Sequence, residues 1–293
     1  MSHPAPSYEE LSRPLPPTSP KRWYYSLVKR VMRAASPLSA GLSTGFTHGF
    51  DSGVMLEHVY QNQPRGRGVV GKFIDRVYLN APGWKGIRAR GELVKDALRA
   101  ALHAELQARP QGPVRLLDVA CGGGRYDLEV LREFQQGHPD VTVEATLRDY
   151  AQVNVDSARA LGESLGVRGV RYERADAFSD ADLARAAEGG APDIVLVSGL
   201  HEILPDDALI EHHYLQLGRI IRPGGTLIYT VQPVHPQLEF IARTLPSHTG
   251  QPWVMRLRSR EQVAGWATAA GFRTQAQWTE PQGIFGVVLA QKA

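Results

Sequence analysis

The amino-acid sequence predicts an α/β protein with a doubly wound, mostly parallel seven-stranded sheet and a helical N-terminal extension. From residue 114 onwards, short apolar runs alternate with segments of helical periodicity. Five strands separated by helices indicate a parallel sheet that is covered on both faces. The last two runs are separated only by residues 281–283, which predicts an antiparallel hairpin at one edge. Before residue 110 the patterns are helical.

The first region begins with a proline-rich segment, residues 1–20, which predicts a disordered tail. Residues 21–36 then place Trp23, Tyr24, Leu27, Val28, Val31 and Met32 on one helical face. No acid interrupts the five cations of this segment, Lys21, Arg22, Lys29, Arg30 and Arg33. The pattern suits a membrane-surface helix, and equally a helix that docks on the protein's own body with its charges in solvent.

Further helices are predicted at residues 69–80 and 90–110, after a glycine-rich loop or broken helix at 36–53. The helix at 90–110 has one apolar face, and Pro110 marks its end. The chain therefore divides into a disordered tail (1–20), a helical basic region (21–110) and an α/β domain (111–293).

The α/β domain is predicted element by element. Its strands are the apolar or β-branched runs at 114–120, 141–150, 170–178, 192–200, 226–232, 273–280 and 284–292. The clearest helical patterns are those at 151–166, 207–222 and 259–270. Gly271 ends the last helix, and Pro223–Gly225 precede the fifth strand.

Composition excludes several classes of protein. The chain is 43% hydrophobic and 22% charged, and its single cysteine cannot form an internal disulfide. No window approaches the ~20 apolar residues of a membrane span, and residues 1–20 lack the apolar core of a signal peptide. We therefore expect a cytoplasmic protein, peripheral to the inner face of the membrane if residues 21–33 bind it. Residues 1–90 carry 13 Lys/Arg against 5 Asp/Glu, which suits an anionic partner.

The sequence LLDVACGGGRY, residues 116–126, predicts a ligand-binding loop. Glycines between a buried strand and a helix let the backbone approach a ligand at the helix N-terminus. Gly122-x-Gly124 alone is a weak signal, but its position after an apolar strand strengthens it. A nicotinamide-binding loop would need a third glycine at position 127, which is Asp127.

The segment DVACGGG, residues 118–124, resembles the first motif of the class I S-adenosylmethionine-dependent methyltransferases, acidic-x-Gly-x-Gly-x-Gly. Ala120 replaces the first glycine and adds a methyl group. The resemblance implies a Rossmann-like methyltransferase fold over residues 114–292. It also implies an acidic residue after the second strand and an aspartate after the third, and Asp149 and Asp176 occupy those positions.

A narrower resemblance covers VYQNQPRG at 59–66 and FIDRVYLNAPGWKGIRARGELV at 73–94. Both are similar to segments of a bacterial methyltransferase family without an established substrate. Some of its members form the C-terminal half of proteins fused to an α/β-hydrolase.

The resemblance to the methyltransferases implies S-adenosylmethionine as the cofactor. Asp149 would accept hydrogen bonds from the ribose hydroxyls, and Asp176 one from the adenine amino group. The backbone of 120–124 would line the methionine portion, with Cys121 as a small side chain and not a nucleophile. The full predicted cofactor site is Asp118, Ala120, Cys121, Gly122, Gly124, Asp149, Tyr150, Asp176, Ala177 and Ser198.

The loop after the fourth strand, SGLHEILPDD at 198–207, usually faces the reacting methyl group in this class. His201 and Glu202 are therefore the catalytic candidates. His201 is a possible general base or else a packing residue. A zinc site of the HExxH type is excluded because position 205 is a proline.

Other histidines rank lower. His212 and His213 are predicted on a surface helix with structural roles. His235 and His248 follow the fifth strand, and His235 is the second candidate for a base.

The favoured function is O-methylation of a small, apolar or lipid-like acceptor. Alternatives are a nucleic-acid methyltransferase that uses the basic N-terminal region, and a cofactor-binding protein without catalysis. Nucleic acid is disfavoured because no RNA-binding module is recognisable there.

Overall fold

A computed structural model describes residues 6–109 and 111–293, which fold into two compact units. The first unit contains the described residues up to Arg88 together with Val234–Leu257. The second unit contains the described residues of Ala89–Pro233 together with Arg258–Ala293. These units divide the chain differently from the predicted regions 21–110 and 111–293, because 89–109 belong to the second unit and 234–257 to the first.

Twelve α-helices occur in the part of the chain that the structure describes. They are α1 Tyr8–Ser12, α2 Pro20–Ala35, α3 Ala40–His48, α4 Gly53–Gln61, α5 Gly68–Leu79, α6 Pro82–Ala108, α7 Arg125–Gly137, α8 Gln152–Leu165, α9 Asp180–Ala187, α10 Asp207–Ile220, α11 Leu238–Thr244 and α12 Arg260–Ala269. None of these helices combines the length and the apolar character that a membrane crossing requires.

The second unit contains one seven-stranded sheet. Its strands are β1 Val114–Asp118, β2 Val143–Asp149, β3 Val170–Arg174, β4 Ile194–Val197, β5 Thr226–Val231, β6 Phe272–Thr279 and β7 Gly286–Lys292. The order is β3-β2-β1-β4-β5-β7-β6, and the first five strands are parallel. The last two strands are antiparallel to their neighbours. The predicted fold class is confirmed.

The hairpin between β6 and β7 depends on one buried carboxylate. Glu280 is 2% exposed and accepts hydrogen bonds from the backbone N–H groups of Gln282, Ile284 and Phe285 at 2.6, 2.5 and 3.1 Å. Buried backbone donors must find partners. The side chain of Glu280 supplies them in the turn, where strand pairing cannot.

The core of the second unit is built from strands that are buried on both faces. All residues of β4 and β5 are buried, as expected for central strands covered by helices. Helix α6 adds the apolar face that its spacing predicts, with Val94, Leu98 and Leu102 fully buried. The structure ends this helix at Ala108. Pro110, its predicted terminator, lies outside the described residues.

The first unit is helical, as predicted, and its core is rich in aromatic side chains. Phe50, Trp84 and Trp253 are buried, and the rings of Trp84 and Trp253 stack with centroids 6.3 Å apart. Asp51 accepts hydrogen bonds from the backbone N–H and from Nδ1 of His248, at 2.5 and 2.8 Å. This contact ties the later segment of the unit to the earlier one.

The structure differs from the predicted disordered tail at residues 8–12, which form α1. Ser7 and Glu10 form a reciprocal capping box at its start. The Arg243 guanidinium donates to backbone carbonyls of the segment, including that of Leu11 at 3.0 Å. The partner is more than 230 residues away, so local patterns could not indicate it. The first five residues of the predicted tail lie outside the described part of the chain.

Candidate active site

The glycine loop connects β1 to α7 and requires glycine at two positions. Gly122 and Gly124 have φ of 55° and 63°, a left-handed conformation that glycine adopts without strain. A Cβ on Gly124 would lie 3.1 Å from Leu147 and 3.2 Å from Ala158. Both glycines therefore fix the course of the loop, and Gly124 also lets it pack closely on its neighbours.

Cys121 is held inside this loop. Its backbone N–H donates to the carbonyl of Arg148 at 2.8 Å, and its side chain is 4% exposed. Burial raises the pKa of the Cys121 thiol well above its usual value, which disfavours the reactive thiolate. These surroundings support a small packing residue over a nucleophile.

Two aspartates lie beneath the loop. Asp118 and Asp127 are both fully buried. Asp118 accepts a hydrogen bond from the backbone N–H of Ala120 at 2.9 Å. Burial raises the pKa of Asp118 to about 7, and burial together with the neighbouring Asp118 raises that of Asp127 well above its usual range. Burial next to a second carboxyl group thus favours the protonated form of both aspartates.

This pair changes the interpretation of Asp118. Its burial means that it supports the loop from below through the backbone at Ala120, and its side chain offers no exposed surface to a ligand. The sequence indicates no role for its neighbour Asp127, beyond the fact that an aspartate stands where a nicotinamide-binding loop would have its third glycine.

Asp149 ends β2 and binds the glycine loop directly. Its Oδ2 accepts from the backbone N–H of Gly122 at 3.0 Å. Its Oδ1 accepts from the backbone N–H of Ala151 at 2.9 Å and from the Asn154 side chain at 3.0 Å. The carboxylate is half-buried. Each oxygen can accept two hydrogen bonds, so Oδ2 retains capacity for a ligand hydroxyl.

The end of β3 places the second predicted carboxylate in solvent. Asp176 is exposed, and its Oδ1 accepts from the backbone N–H of Phe178 at 2.9 Å. Ala177 beside it is buried. Tyr150 is 70% exposed, and the Arg174 guanidinium lies 5.7 Å from its ring centroid. Because β2 and β3 are parallel neighbours, Asp149 and Asp176 follow adjacent strands at one edge of the sheet.

The end of β4 carries Ser198 and Gly199. Ser198 is 7% exposed, and its hydroxyl has no hydrogen-bond partner among the described residues. Gly199 has φ 77°, and its N–H donates to Thr230 Oγ1 at 2.9 Å. A Cβ on Gly199 would lie 3.1 Å from the guanidinium of Arg90, a 3% exposed side chain. The sequence indicates no role for Arg90, although it lies in the segment 73–94 that resembles the bacterial methyltransferase family, and none for Thr230.

His201 lies in a buried histidine pair. His201 and His213 are 5% and 0% exposed, and Nε2 of His201 lies 2.8 Å from Nδ1 of His213. Burial, His213 and the Arg258 charge hold the pKa of His201 well below its usual value. Burial lowers the pKa of His213 to about 3.

The prediction of His213 on a surface is wrong. His213 lies three residues after Ile210 and four before Leu217, and both are fully buried on the same face of α10. The spacing of residues 210, 213 and 217 is that of one helical face and indicates that His213 is buried. The adjacent His212 is exposed, and it suggested a surface position for both histidines.

Glu202 is the second catalytic candidate of this loop. Its side chain is 7% exposed, and neither carboxylate oxygen has a hydrogen-bond partner among the described residues. Burial, nearby Tyr229 and the Glu202 charge raise the pKa of Tyr214 well above its usual range. A buried carboxylate without a partner is costly and often functional.

Arg258 holds the loop after β4 in place. Its guanidinium donates to the carbonyls of His201 and Leu204 at 2.8 and 2.7 Å, and to Asp207 Oδ1 at 2.8 Å. Three charge-assisted bonds from a 5% exposed side chain fix the loop rigidly. The sequence did not indicate this role, because Arg258 lies more than fifty residues after the loop.

His235 belongs to the first unit. It is 9% exposed, its Nδ1 accepts from the backbone N–H of Gln237 at 3.1 Å, and burial lowers its pKa to about 4.

The fold and the site define a Rossmann-like methyltransferase architecture, with a glycine loop after β1 and carboxylates after β2 and β3. The chain belongs to the protein family described as "Putative methyltransferase", whose model matches residues 1–292. It is 40% identical over 276 residues to the uncharacterized protein YnbC of Escherichia coli. The match covers 94% of this chain and 46% of YnbC, so the chain spans less than half of that relative.

Solved structures share the fold at low sequence identity. A possible exported protein from Bordetella parapertussis has a TM-score of 0.63 at 18% identity, over 94% of this chain and 99% of that one. Magnesium protoporphyrin IX methyltransferase from Synechocystis, solved with bound S-adenosylhomocysteine, has 0.56 at 14% identity over 92% and 99%. An O-methyltransferase family protein from Burkholderia thailandensis has 0.51 at 16% identity over 82% and 71%. These likenesses establish the fold.

The buried aspartates should make stability depend on pH. Between the ordinary pKa of 3.8 and about 7, Asp118 holds its proton in the folded protein and releases it in the unfolded chain. The folded state then binds more protons, so the free energy of unfolding falls as pH rises. Asp118→Asn keeps Oδ1 for Ala120 and removes this titration. We expect its free energy of unfolding, measured by urea denaturation, to fall less between pH 4 and pH 7.

The exposed Asp140→Asn is the matched control and should follow the wild-type profile. Parallel profiles for the wild type and Asp118→Asn would contradict the raised pKa.

The histidine pair should stay neutral at ordinary pH. Since their pKa values lie below the usual 6.5, the rings of His201 and His213 should not titrate near pH 6.5 as an exposed histidine does. Ring ¹⁵N shifts measured by NMR would check this, with signals assigned from His201→Gln and His213→Gln. A titration midpoint near 6.5 for His201 would contradict the buried pair and favour its role as a base.

Proposed function

We propose that the protein is an S-adenosylmethionine-dependent methyltransferase that acts on the hydroxyl group of a small, apolar or lipid-like acceptor. The observation that carries the proposal is the juxtaposition of three features at one sheet edge. They are the left-handed glycines of the β1 loop, the Asp149 carboxylate bound to that loop, and the exposed Asp176 after the adjacent strand.

The residues present fit this cofactor. Asp149 would hold the ribose hydroxyls through the remaining capacity of its carboxylate, and Asp176 would accept from the adenine amino group. The backbone of residues 120–124 and the buried Ser198 hydroxyl, which lacks a partner among the described residues, would hold the methionine portion. When bound, S-adenosylmethionine supplies an electrophilic methyl group on a sulfonium. The N-terminus of α7 follows the loop directly and favours a negative group such as the methionine carboxylate.

Methylation of a hydroxyl requires a group that removes its proton, and we assign this role to Glu202. Its buried carboxylate has no hydrogen-bond partner among the described residues, so it can accept a proton from an acceptor. His201 is less suited, because burial and its contacts with His213 and Arg258 disfavour its protonated form. We propose that His201 positions the loop that carries Glu202.

The remaining function classes have less support. A nucleic-acid methyltransferase would use the cations of the N-terminal region, but exposed aromatic and aliphatic side chains accompany them on α2. A cofactor-binding protein without catalysis would not require the buried Glu202 carboxylate, which has no hydrogen-bond partner among the residues that the structure describes.

Cofactor binding should depend on Asp149. Asp149→Ala removes the acceptor for two hydroxyls and releases the loop at Gly122, so we expect affinity for S-adenosylmethionine to fall by roughly 2–4 kcal/mol. Isothermal titration calorimetry on the full chain measures this loss.

Asn154→Ala is the matched control, because it removes one bond to Asp149 and leaves both the carboxylate and its bond to Gly122 in place. We expect a much smaller loss for this variant. Unchanged affinity in Asp149→Ala would refute the assignment, and tighter binding of NADH than of S-adenosylmethionine would indicate an oxidoreductase instead.

Catalysis should depend on Glu202. With S-adenosylmethionine radiolabelled on its methyl group and a panel of long-chain alcohols and phenols, Glu202→Gln should lower kcat by about 10²–10⁴-fold. The dissociation constant of the cofactor should barely change, since Gln keeps the shape of Glu. A variant that loses cofactor binding together with activity would assign Glu202 a structural role. Methylation of amines but not of hydroxyls would refute O-methylation.

A further inference from the structure

Helix α5 presents an apolar stripe to solvent. Val69, Val70, Phe73 and Val77 are 87, 61, 63 and 59% exposed. Residues 69, 73 and 77 are spaced by four, so these side chains lie along one face of the helix. The opposite face carries the buried Asp75 and Leu79 and packs within the first unit. Four large exposed apolar side chains on one short helix are unusual for a face that meets only water.

Helix α2 has the same arrangement. Trp23, Tyr24, Leu27 and Val31 are 67, 58, 56 and 59% exposed, again at spacings of four. Val28 and Met32 are half-buried on another face, and the helix packs against α3 and α11. The predicted apolar face is therefore divided. One part packs on the unit, and the aromatic part remains in solvent.

The segment between α2 and α3 contacts the start of α5. Leu38, which is 42% exposed, follows α2 directly. Its carbonyl accepts from the backbone N–H of Arg67 at 2.8 Å, and a Cβ on Gly71 would lie 2.1 Å from that oxygen. The end of α2 thus lies against the start of α5. We define the two-helix surface as Trp23, Tyr24, Leu27, Val31, Leu38, Val69, Val70, Phe73 and Val77.

The charge around this surface is predominantly positive. Helix α2 contains no acidic residue, and Asp75, the acid of α5, is fully buried against Ser39, Gly41 and Arg65. The exposed cations of the two helices and the adjoining loop are Lys21, Arg22, Arg30, Arg33, Arg65, Arg67, Lys72 and Arg76, of which Lys21 pairs with Glu239 at 3.0 Å. Apolar side chains bordered by cations complement a surface with anionic headgroups above an apolar interior.

We propose that the two-helix surface binds the anionic face of a phospholipid bilayer, with the stripes of α2 and α5 inserted at the headgroup boundary. Tryptophan and tyrosine on α2 are the side chains that favour this boundary. The proposal goes beyond the methyltransferase function, and only the idea that the bilayer delivers a lipid-like acceptor rests on that function.

Sedimentation of the full chain with vesicles tests the proposal. We expect the protein to sediment with vesicles of equal parts phosphatidylglycerol and phosphatidylcholine at low salt, and not with phosphatidylcholine alone. Binding should weaken sharply as salt rises from about 0.05 M to about 0.5 M, because the Debye length shortens. Failure to sediment with the anionic vesicles at low salt would refute the proposal.

Point variants locate the surface on both helices. Val69→Ser/Phe73→Ser and Trp23→Ser/Leu27→Ser should each weaken binding at least about tenfold, since they remove inserted apolar area. Lys72→Ser/Arg76→Ser should weaken it about fivefold for each cation removed. All of these side chains are exposed, so the variants should fold, which circular dichroism verifies.

The matched controls lie in the second unit. Val153→Ser/Leu215→Ser removes exposed apolar side chains, and Arg132→Ser/Arg273→Ser removes exposed cations. Both should bind vesicles as the wild type does. If these controls weaken binding as strongly as the α2 and α5 variants do, the attraction is non-specific and the surface is not the site.

Two outcomes separate this proposal from its competitors. A dimer in sedimentation equilibrium that Phe73→Ser dissociates, without vesicle binding, would assign the surface to a second copy of the chain. Titration of the full chain with S-adenosylmethionine tests the proposed function by itself. A chain that fails to bind the cofactor but binds vesicles would refute only the proposed function. A chain that binds the cofactor but not the vesicles would refute only the membrane surface.

Discussion

The parallel pairing of β1 to β5 is the constraint on which the site depends. Parallel strands end at the same edge, so residues far apart in the chain meet there without any local signal between them. The register pairs β1 with both β2 and β4, which brings the glycine loop next to Asp149 and to Ser198. The Asp149 carboxylate then closes this arrangement, because its bond to Gly122 joins two adjacent strand ends.

Polar groups buried beneath these loops keep the edge rigid. Asp118 accepts a hydrogen bond from the glycine loop at Ala120, and His201 of the loop after β4 pairs with the buried His213. Burying such groups costs free energy unless each finds a partner, and a paired group then tolerates little movement. Arg258 adds three further bonds to the second loop. Through these contacts the fold holds the backbone that a cofactor would approach while leaving Glu202 without a partner among the described residues.

The first unit uses its helices in a different way. Helices α2 and α5 each pack one face within the unit and leave a second apolar face in solvent, bordered by cations. A helix that only completes a core needs one such face. The second face remains in contact with water in the folded chain. Its transfer into an apolar phase would lower the free energy.

The sequence by itself determined the fold class and the positions of Gly122, Gly124, Asp149 and Asp176, because strand periodicity and strand-end motifs are local properties of the chain. It also indicated the amphipathic character of α2. Only the tertiary structure decided which apolar residues face solvent, how the chain divides into two units, and which groups are paired. The pairing of His213 with His201 and the bonds of Arg258 belong to that second class. Burial and long-range hydrogen bonds depend on elements that meet only after folding, so spacing along the chain does not encode them in a form that can be read directly.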